Sequence, residues 1–372
     1  MPVNLQLNCQ EFELSASFQL QLEFLQMKKS LIALAVLGAS SVAFAASNVT
    51  LYGVLDGGVV VSKAKKADTK VQAKSGFDSG SRWGLKGVED LGNGYSVGFQ
   101  LEQGYNLDDG TTANGTGTFT RESRLFVQGG FGTLSFGRFG SLASGAGTQT
   151  ILTGWQFGTS YEETGSWTKY GKGNNRINNA ISYVSPAFGG TTLHAMYSNG
   201  MSNDDAKWSG NHHYYGLGIK TTVGALDGSV IFEATDAKGD AKYTEPAYSI
   251  TAGANYNFGI ATVSGIYQYA WSSDEYKQNA FGLSTAIPAF GGTAKLGTKF
   301  VFGKDETKIS GEDKYNGWSI NAGYNYPLSK RTYAYGYAGY THGGKLWKTH
   351  TAAEADLVHN GYAIGMGLVH KF

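Results

Sequence analysis

Cysteine is almost missing from this sequence. The single cysteine among 372 residues is Cys9, which lies in a stretch that we expect to be absent from the working protein. A chain without a second cysteine forms no internal disulfide, and chemistries that need paired thiols are excluded. The stability of the fold must therefore come from backbone pairing and packing.

Proline and charge are also scarce. Five prolines against 54 glycines exclude collagen and proline-rich linkers, and the glycines recur singly inside alternating segments. Charged residues make up 16% of the chain, with a formal net charge of +1. Residues 1–45 hold two of the 30 basic and three of the 29 acidic residues, so the remainder is also nearly neutral. Such a balance gives no reason to expect a nucleic-acid partner.

Long apolar runs are missing as well, apart from a short one near the start. Two lysines at positions 28 and 29 precede apolar residues 31–42, and residues 43–45 read Ala-Phe-Ala. This arrangement is typical of a secretory signal, and the run is too short for a transmembrane helix. We therefore predict three parts: an upstream extension absent from the working protein (1–26), a signal peptide (27–45) and a single domain (46–372).

The chain does contain apolar and polar residues that alternate with a period of two, which is typical of β-strands. Residues 248–258, 318–326 and 360–372 show the pattern clearly. Two folds alternate in this way. A soluble sandwich turns its apolar face inward, whereas a transmembrane barrel turns it outward to lipid and keeps a polar lumen.

Three features favour the barrel. Aromatic residues cluster at the ends of the predicted strands, as interfacial belts require. The opposite face is rich in glycine, serine, threonine and asparagine, which are too small and polar to seal a sandwich. Short turns alternate with long polar loops, and seven turns with eight loops imply sixteen strands. We predict an all-β fold, a sixteen-stranded antiparallel transmembrane β-barrel.

The longest loop, residues 139–175, has no strand-like alternation. It is flanked by Arg138 and Arg176 and carries the acidic pair Glu162 and Glu163. A segment this long without secondary structure inside a compact protein is usually functional.

The alternation also assigns basic residues to faces of the predicted strands. Trp83 and Leu85 would face lipid, which places Arg82 and Lys86 in the lumen. The same reasoning places Arg124 inside, because Leu125 and Val127 face out, and it places Arg121 near the rim. Arg176 is placed inside because Ile177, Ile181 and Tyr183 face out.

Arg138 lies an even number of residues from Leu134 and Phe136, so alternation puts all three on the same face of the strand, a relation we call shared parity. Arg138 would therefore point outward unless a bulge turns it inward. Six further charged residues fall on lumen positions: Lys220, Lys295, Lys299, Asp56, Glu102 and Glu233. We expect Lys220, Lys295, Lys299 and Glu233 to be scattered, solvated side chains in a wide channel.

Several segments appear in a fixed order along the predicted mature chain: residues 47–56, 81–87, 89–92, 131–138, 178–186, 328–332 and the terminal His370-Lys371-Phe372. Together they resemble the general diffusion porins of Gram-negative outer membranes, in particular the betaproteobacterial and neisserial branch. The resemblance spans the whole mature chain and is far more specific than any single motif.

The resemblance implies a homotrimer in outer-membrane lipid, whose third outer loop folds inward at mid-height. Acidic residues of that loop, here Glu162 and Glu163, would face a basic wall, and Arg138 would turn inward. The predicted wall comprises Arg82, Arg124, Arg138, Arg176 and Lys86. Phe372 resembles the signal that the outer-membrane insertion machinery reads.

The expected function is a passive pore for ions and small hydrophilic solutes, without a cofactor or metal. Because inward bases outnumber inward acids, we expect a weak anion preference. Two alternatives remain: an adhesin or receptor barrel that binds through its outer loops, and a barrel hydrolase. The hydrolase lacks support, since the chain has no HExxH or CxxC motif.

Overall fold

The structure is a computed structural model in which Val49–Phe372 forms one compact unit. It describes these residues: 49–113, 115, 117–201, 207–236, 245–273, 275–305, 314–344 and 360–372. The predicted upstream extension and signal peptide lie outside the described residues. The side chains of Glu162, Glu163 and Tyr315 are likewise outside the description.

The described part of Val49–Phe372 consists mainly of antiparallel strands, seventeen segments in all. They are β1 (Thr50–Ala64), β2 (Lys70–Ser75), β3 (Arg82–Gly92), β4 (Tyr95–Gly104), β5 (Glu122–Gly129), β6 (Gly132–Gly140), β7 (Arg176–Val184), β8 (Thr191–Ser198), β9 (Tyr214–Val223), β10 (Leu226–Thr235), β11 (Ala247–Asn257), β12 (Thr262–Ser272), β13 (Tyr276–Ala289), β14 (Gly292–Asp305), β15 (Lys314–Pro327), β16 (Thr332–Gly343) and β17 (Gly361–Lys371). Among the described residues, helical structure is limited to α1 (Glu162–Gly165) and two 3₁₀ turns, Trp167–Lys169 and Trp208–Gly210. No described helix is long and apolar enough to cross a membrane.

Two of the seventeen segments share one position in the sheet. β2 pairs with β1 from Gly57 to Ser62, and β3 pairs with the same edge of β1 from Thr50 to Val54. β17 pairs with the other edge of β1, so the sheet closes on itself. The result is a sixteen-position antiparallel barrel, and the predicted fold class is confirmed.

The two faces of the barrel differ in polarity. Leu283 and Ile320 are 59% and 58% exposed on the outer face, while their neighbours Ser284 and Ser319 are buried on the inner face. Apolar outside and polar inside is the reverse of a water-soluble sandwich and is what a lipid-facing barrel requires. This observation decides between the two folds that alternation alone left open.

The seven predicted short turns all lie where expected, between β3 and β4, β5 and β6, β7 and β8, β9 and β10, β11 and β12, β13 and β14, and β15 and β16. The predicted first loop, residues 63–74, differs. The end of β1 and most of β2 occupy it as a hairpin in which Val61 lies opposite Val71.

A bulge breaks the alternation where the long loop leaves and rejoins the wall. The β6–β7 register shifts between Gly137 and Phe139, and Asn179 has a φ of 50°. Phe139 keeps the inner-face position that the alternation of β6 gives it, and the extra residue on β7 turns Ile177 inward to pair with it, so both are fully buried. The expectation that Ile177 faces lipid is wrong, because a bulge adds one residue and reverses the parity beyond it.

We predict that Leu283→Lys, near the middle of β13 on the lipid-facing side, lowers the free energy of unfolding in bilayers by about 2–4 kcal/mol. The matched control is Leu226→Lys at the start of β10, beside a short turn, where the cost falls to about 0–1 kcal/mol. Guanidinium unfolding followed by tryptophan fluorescence measures both. Equal losses at the two positions would contradict the assignment of the outer face.

Candidate functional site

The first half of loop 139–175 is hydrogen-bonded to inward-facing residues of the barrel wall. The Ala143 N–H donates to Glu233 Oε1 on β10 at 3.1 Å. The Thr153 hydroxyl donates to the Gly253 carbonyl on β11 at 2.8 Å. Further along, the Gln156 N–H donates to Ser284 Oγ on β13 at 3.0 Å. The loop thus runs along the inner wall.

Glycine permits the closest part of this approach. A Cβ at Gly253 would lie 2.1 Å from the Thr153 carbonyl oxygen. Gly154, whose φ is 93°, would place a Cβ 2.2 Å from the Gly265 carbonyl oxygen. The loop backbone therefore rests directly on the wall backbone, which only residues without a Cβ allow.

The second half of the loop is held through its carbonyl groups. Lys299 Nζ donates to the Ser166 carbonyl at 2.6 Å, and Gln268 Nε2 donates to the Lys172 carbonyl at 2.7 Å. Lys299 is fully buried, with the rings of Tyr170 and Trp155 at 4.7 and 5.6 Å from Nζ. These carbonyls have no strand partner, so donors from the wall satisfy them.

Two residues expected to be solvated are therefore loop anchors. Lys299 and Glu233 are both buried and both bond the loop backbone. The expectation failed because parity reports only which face a side chain is on, not what covers that face.

Aromatic rings fix the middle of the loop against β16. Tyr161 stacks on Tyr337 with ring centroids 4.1 Å apart, and Phe77 meets both rings edge-on. Phe157 packs edge-on against the same two tyrosines. The sequence signal for this contact was available, since aromatic residues recur every few positions between 155 and 170.

A second inward element faces the loop. Residues 76–81, between β2 and β3, are tied to the buried carboxyl of Asp56, whose Oδ2 accepts the N–H groups of Asp78 and Ser79 at 2.8 and 2.7 Å. The Tyr335 hydroxyl donates to Oδ1 of the same carboxyl at 2.9 Å. Asp56 thus positions an inward-facing stretch of wall between β2 and β3.

A cavity of about 610 Å³ separates the wall from the loop. In the described part of the chain, its charged lining residues are Arg82, Arg121 and Arg176 from the wall, Lys169 from the loop, and one acid, Asp78. Small and polar groups line the rest, including Ser144, Gly147 and Thr168. We call this cavity the eyelet.

Carboxylates outside the eyelet lining hold its arginines. Glu102 lies 2.8 Å from Arg121 Nε and 3.5 Å from Arg82 Nε. Arg176 Nη1 lies 3.9 Å from Glu122 Oε1 and donates to the Ala146 carbonyl at 2.8 Å. Because both glutamates are buried, the pairs restrict the arginine rotamers, and the charges are fixed in position.

The structure brings together two of the predicted basic residues, Arg82 and Arg176. Arg124 lies on the inner face of β5, but its guanidinium stacks on Phe126 at 4.4 Å and does not line the eyelet. Lys86 Nζ lies 5.2 Å from the Tyr52 ring, also away from the eyelet lining. The backbone of Glu162 and Glu163 forms α1 in the loop.

Arg138 does not turn inward. The β5–β6 register is continuous, and it places Arg138 opposite Ser123, on the outer face shared by Leu125 and Phe136. The guanidinium donates to the Thr120 carbonyl at 2.7 Å and to Asn178 Oδ1. The bulge exists, but its extra residue is on β7, where Asn178 and Asn179 lie opposite Arg138, so it reorients Ile177 instead.

Arg121 is the basic residue that sequence reasoning missed. It was placed near the rim because it precedes β5, yet its side chain bonds Glu102 and lines the eyelet. The sequence feature that could have identified Arg121 is Glu102, which falls on a lumen position of the adjacent strand. A buried carboxylate needs a cationic partner, and Arg121 is that partner. Within the described ranges, no group of three or more His, Cys, Asp or Glu side chains is arranged to hold a metal ion.

The family model described as "Gram-negative porin" matches residues 30–346. This chain belongs to the Gram-negative porin family. The porin is 33% identical over 346 residues to outer membrane porin protein 32 of Delftia acidovorans, covering 83% of this chain and 88% of that protein. It is 28% identical to the major outer membrane protein P.IB of Neisseria lactamica, covering 93% and 100% respectively. A solved structure described as "Anion-selective porin from Comamonas acidovorans" superposes with a TM-score of 0.67 at 27% identity, covering 88% and 100%.

Family membership settles the class of activity. The porin is an outer-membrane barrel that provides a water-filled path for passive diffusion, and it is a channel, not an enzyme. The channel is therefore preferred over the two alternatives, the receptor barrel and the barrel hydrolase.

We predict that Lys299→Met frees the loop near Ser166, because it removes the buried charged donor to that carbonyl. The expected cost is about 1.5–3 kcal/mol of unfolding free energy, the usual scale for a hydrogen bond from a charged group. Single-channel recordings should show increased open-channel current noise.

The matched control is Lys220→Met. Lys220 is also an inner-face lysine, but it is partly exposed and pairs with Asp227 at 3.6 Å near a short turn. The control should stay as quiet as the parent porin. A quiet Lys299→Met channel would contradict the anchoring role.

Proposed function

We propose that the eyelet gives this porin a weak preference for small anions over cations. The observation that carries the proposal is the charge of its lining: among the residues that the structure describes, Arg82, Arg121, Arg176 and Lys169 stand against one acid, Asp78. Fixed charges act strongly on permeating ions here, because the passage is narrow and its walls are partly of low dielectric constant.

The anion preference is weak because acidic side chains lie next to the basic side chains of the eyelet. Glu102 and Glu122 pair with the wall arginines and offset part of their potential. We place Glu162 and Glu163 in the same role on the loop, where they reduce the positive potential. Arg124 and Lys86, on the inner faces of β5 and β3, extend the basic wall away from the eyelet.

Comparison supports the sign of the preference. The Comamonas acidovorans relative is described as anion-selective, and at 27% identity it covers 88% of this chain. The physical argument from the lining of the eyelet points the same way without it.

Two further proposals concern assembly. We infer from the resemblance to general diffusion porins that the porin forms a homotrimer in the outer membrane. We also infer that Phe372 is read by the insertion machinery. Its ring is 44% exposed, and its backbone exchanges two 3.1 Å hydrogen bonds with Gly53 at the junction of β1 and β17.

The test is the zero-current potential of single channels in a KCl gradient. The parent porin should give an anion-selective sign. Each of Arg82→Gln, Arg121→Gln and Arg176→Gln should move the potential toward cation selectivity. The triple variant should reverse the sign, because Asp78, Glu102 and Glu122 then outnumber Lys169.

Arg331→Gln is the control, since Arg331 is exposed beside the β15–β16 turn, outside the eyelet lining. It should leave the potential unchanged. A cation-selective parent channel, or a triple variant that keeps the parent sign, would refute the proposal.

A further inference from the structure

A second cavity, of about 170 Å³, lies beside the long loop at residues 172–174. The ends of β10 and β11, where Thr235 pairs with Ala247, form another part of its lining. These strand ends carry one of the long connections of the barrel. Among the described residues, no lining residue is shared with the eyelet, so the two cavities are separate sites.

The lining of this cavity has the opposite charge to that of the eyelet. Within the described ranges, its acidic and basic residues are Glu233, Asp236, Glu245, Lys172 and His212. The Nζ atom of Lys172 lies 4.9 Å from the centre of the Tyr276 ring. Because three carboxylic acids stand against one lysine, we call this the acidic cavity.

The deepest of the three acids is Glu233, which is 3% exposed. Its Oε1 accepts hydrogen bonds from the Tyr214 hydroxyl at 2.7 Å and from the Ala143 N–H at 3.1 Å. Its Oε2 is also buried, but it has no hydrogen-bond partner in the part of the chain that the structure describes. A Cβ at Gly173 would lie 3.3 Å from Oε2, so this oxygen faces the side of the cavity that the loop lines. A buried carboxylate oxygen without a donor is costly, and a bound donor would remove that cost.

Hydrogen bonds near the strand ends position the other two acids. Asp236 Oδ1 accepts the His213 N–H at 2.9 Å, and the Asp236 N–H donates to the His213 carbonyl at 3.2 Å. The Glu245 N–H donates to Glu275 Oε1 at 3.2 Å. Asp236 and Glu245 are therefore held beside the ends of β10 and β11, while Glu233 reaches the cavity from the barrel wall.

The chemistry of this lining favours a ligand that carries a positive charge and donates hydrogen bonds. A primary ammonium group has three N–H donors and no acceptor, which matches a set of carboxylates. In the described part of the chain, no three His, Cys, Asp or Glu side chains are arranged to hold a metal ion, which favours an ammonium group over a metal. Size also limits the ligand, because a cavity of about 150 Å³ holds one benzene molecule, a ligand of about six non-hydrogen atoms.

We propose that the acidic cavity binds the primary ammonium group of a small solute, either a short amine or a small amino acid. Glu233 Oε2 accepts one N–H at the buried end of the cavity. Asp236, whose side chain is 20% exposed, and Glu245 accept the others nearer the opening. Since the site is separate from the eyelet, this proposal does not rest on the anion preference.

The experiment measures solute binding to the purified porin in neutral detergent by saturation-transfer NMR. Four probes are titrated at neutral pH: propylamine, alanine, propionate and tetramethylammonium. Propylamine and alanine both carry a primary ammonium group and should bind saturably. Propionate has no ammonium group, and tetramethylammonium has the charge but no N–H donor, so neither should bind. Tighter binding of alanine than of propylamine would identify the solute as an amino acid, and the reverse order would identify it as an amine.

Two variants test the carboxylates. Glu233→Gln should weaken propylamine binding about tenfold, because it removes a charged hydrogen-bond acceptor. Glu233 also holds the loop through Oε1, so the second variant is Glu245→Gln, which leaves that contact in place. It should weaken binding about threefold, since the Glu245 side chain is less buried.

The matched control is Asp227→Asn, which removes an inner-face carboxylate at the other end of β10. It should bind propylamine like the parent. Four results would each overturn the proposal: no saturable binding of propylamine or alanine, equal binding of propionate or tetramethylammonium, parent-like binding by both glutamate variants, or an equal loss in the control. The zero-current potential of the parent porin in KCl is independent of all four, so failure here can be told apart from failure of the anion preference.

Discussion

Every backbone N–H and C=O group that lies in lipid must find a partner within the protein, because hydrocarbon offers none. The rest of this structure depends on that constraint. β1 meets it by pairing with β17 on one edge and with β2 and β3 on the other, which closes the ring of described strands without a free edge. Closing sixteen strands into a ring leaves a wide lumen, and the lumen is what makes an inner loop necessary for selectivity.

The loop is positioned by groups that the barrel already has to bury. Lys299, Gln268 and Glu233 face the lumen and would otherwise be solvated, but they bond the loop backbone. The same principle fixes the other side of the eyelet, where Asp56 binds residues 76–81 and Glu102 holds two arginines. A rigid eyelet with fixed charges follows from the satisfaction of buried polar groups, without any dedicated ligand.

Alternation and turn spacing predicted most of the fold, because a period of two and a short connection are local properties of the chain. The site was only partly predictable. Arg82 followed from parity, and so did the outward position of Arg138. Ile177 did not, because the bulge adds a residue to β7 between Ile177 and Ala180 and reverses the parity there. Arg121 was missed because it precedes its strand, and its position depends on Glu102, which is distant in sequence.

Lys299 and Phe300 are neighbours in sequence, yet one bonds the inner loop and the other lies at the membrane. Each strand is thus two interleaved sets of residues with separate tasks. Substitutions in one set can retune permeation, while substitutions in the other adapt the protein to a different lipid environment. The two properties can therefore diverge independently among related barrels, even though the same sixteen strands carry both.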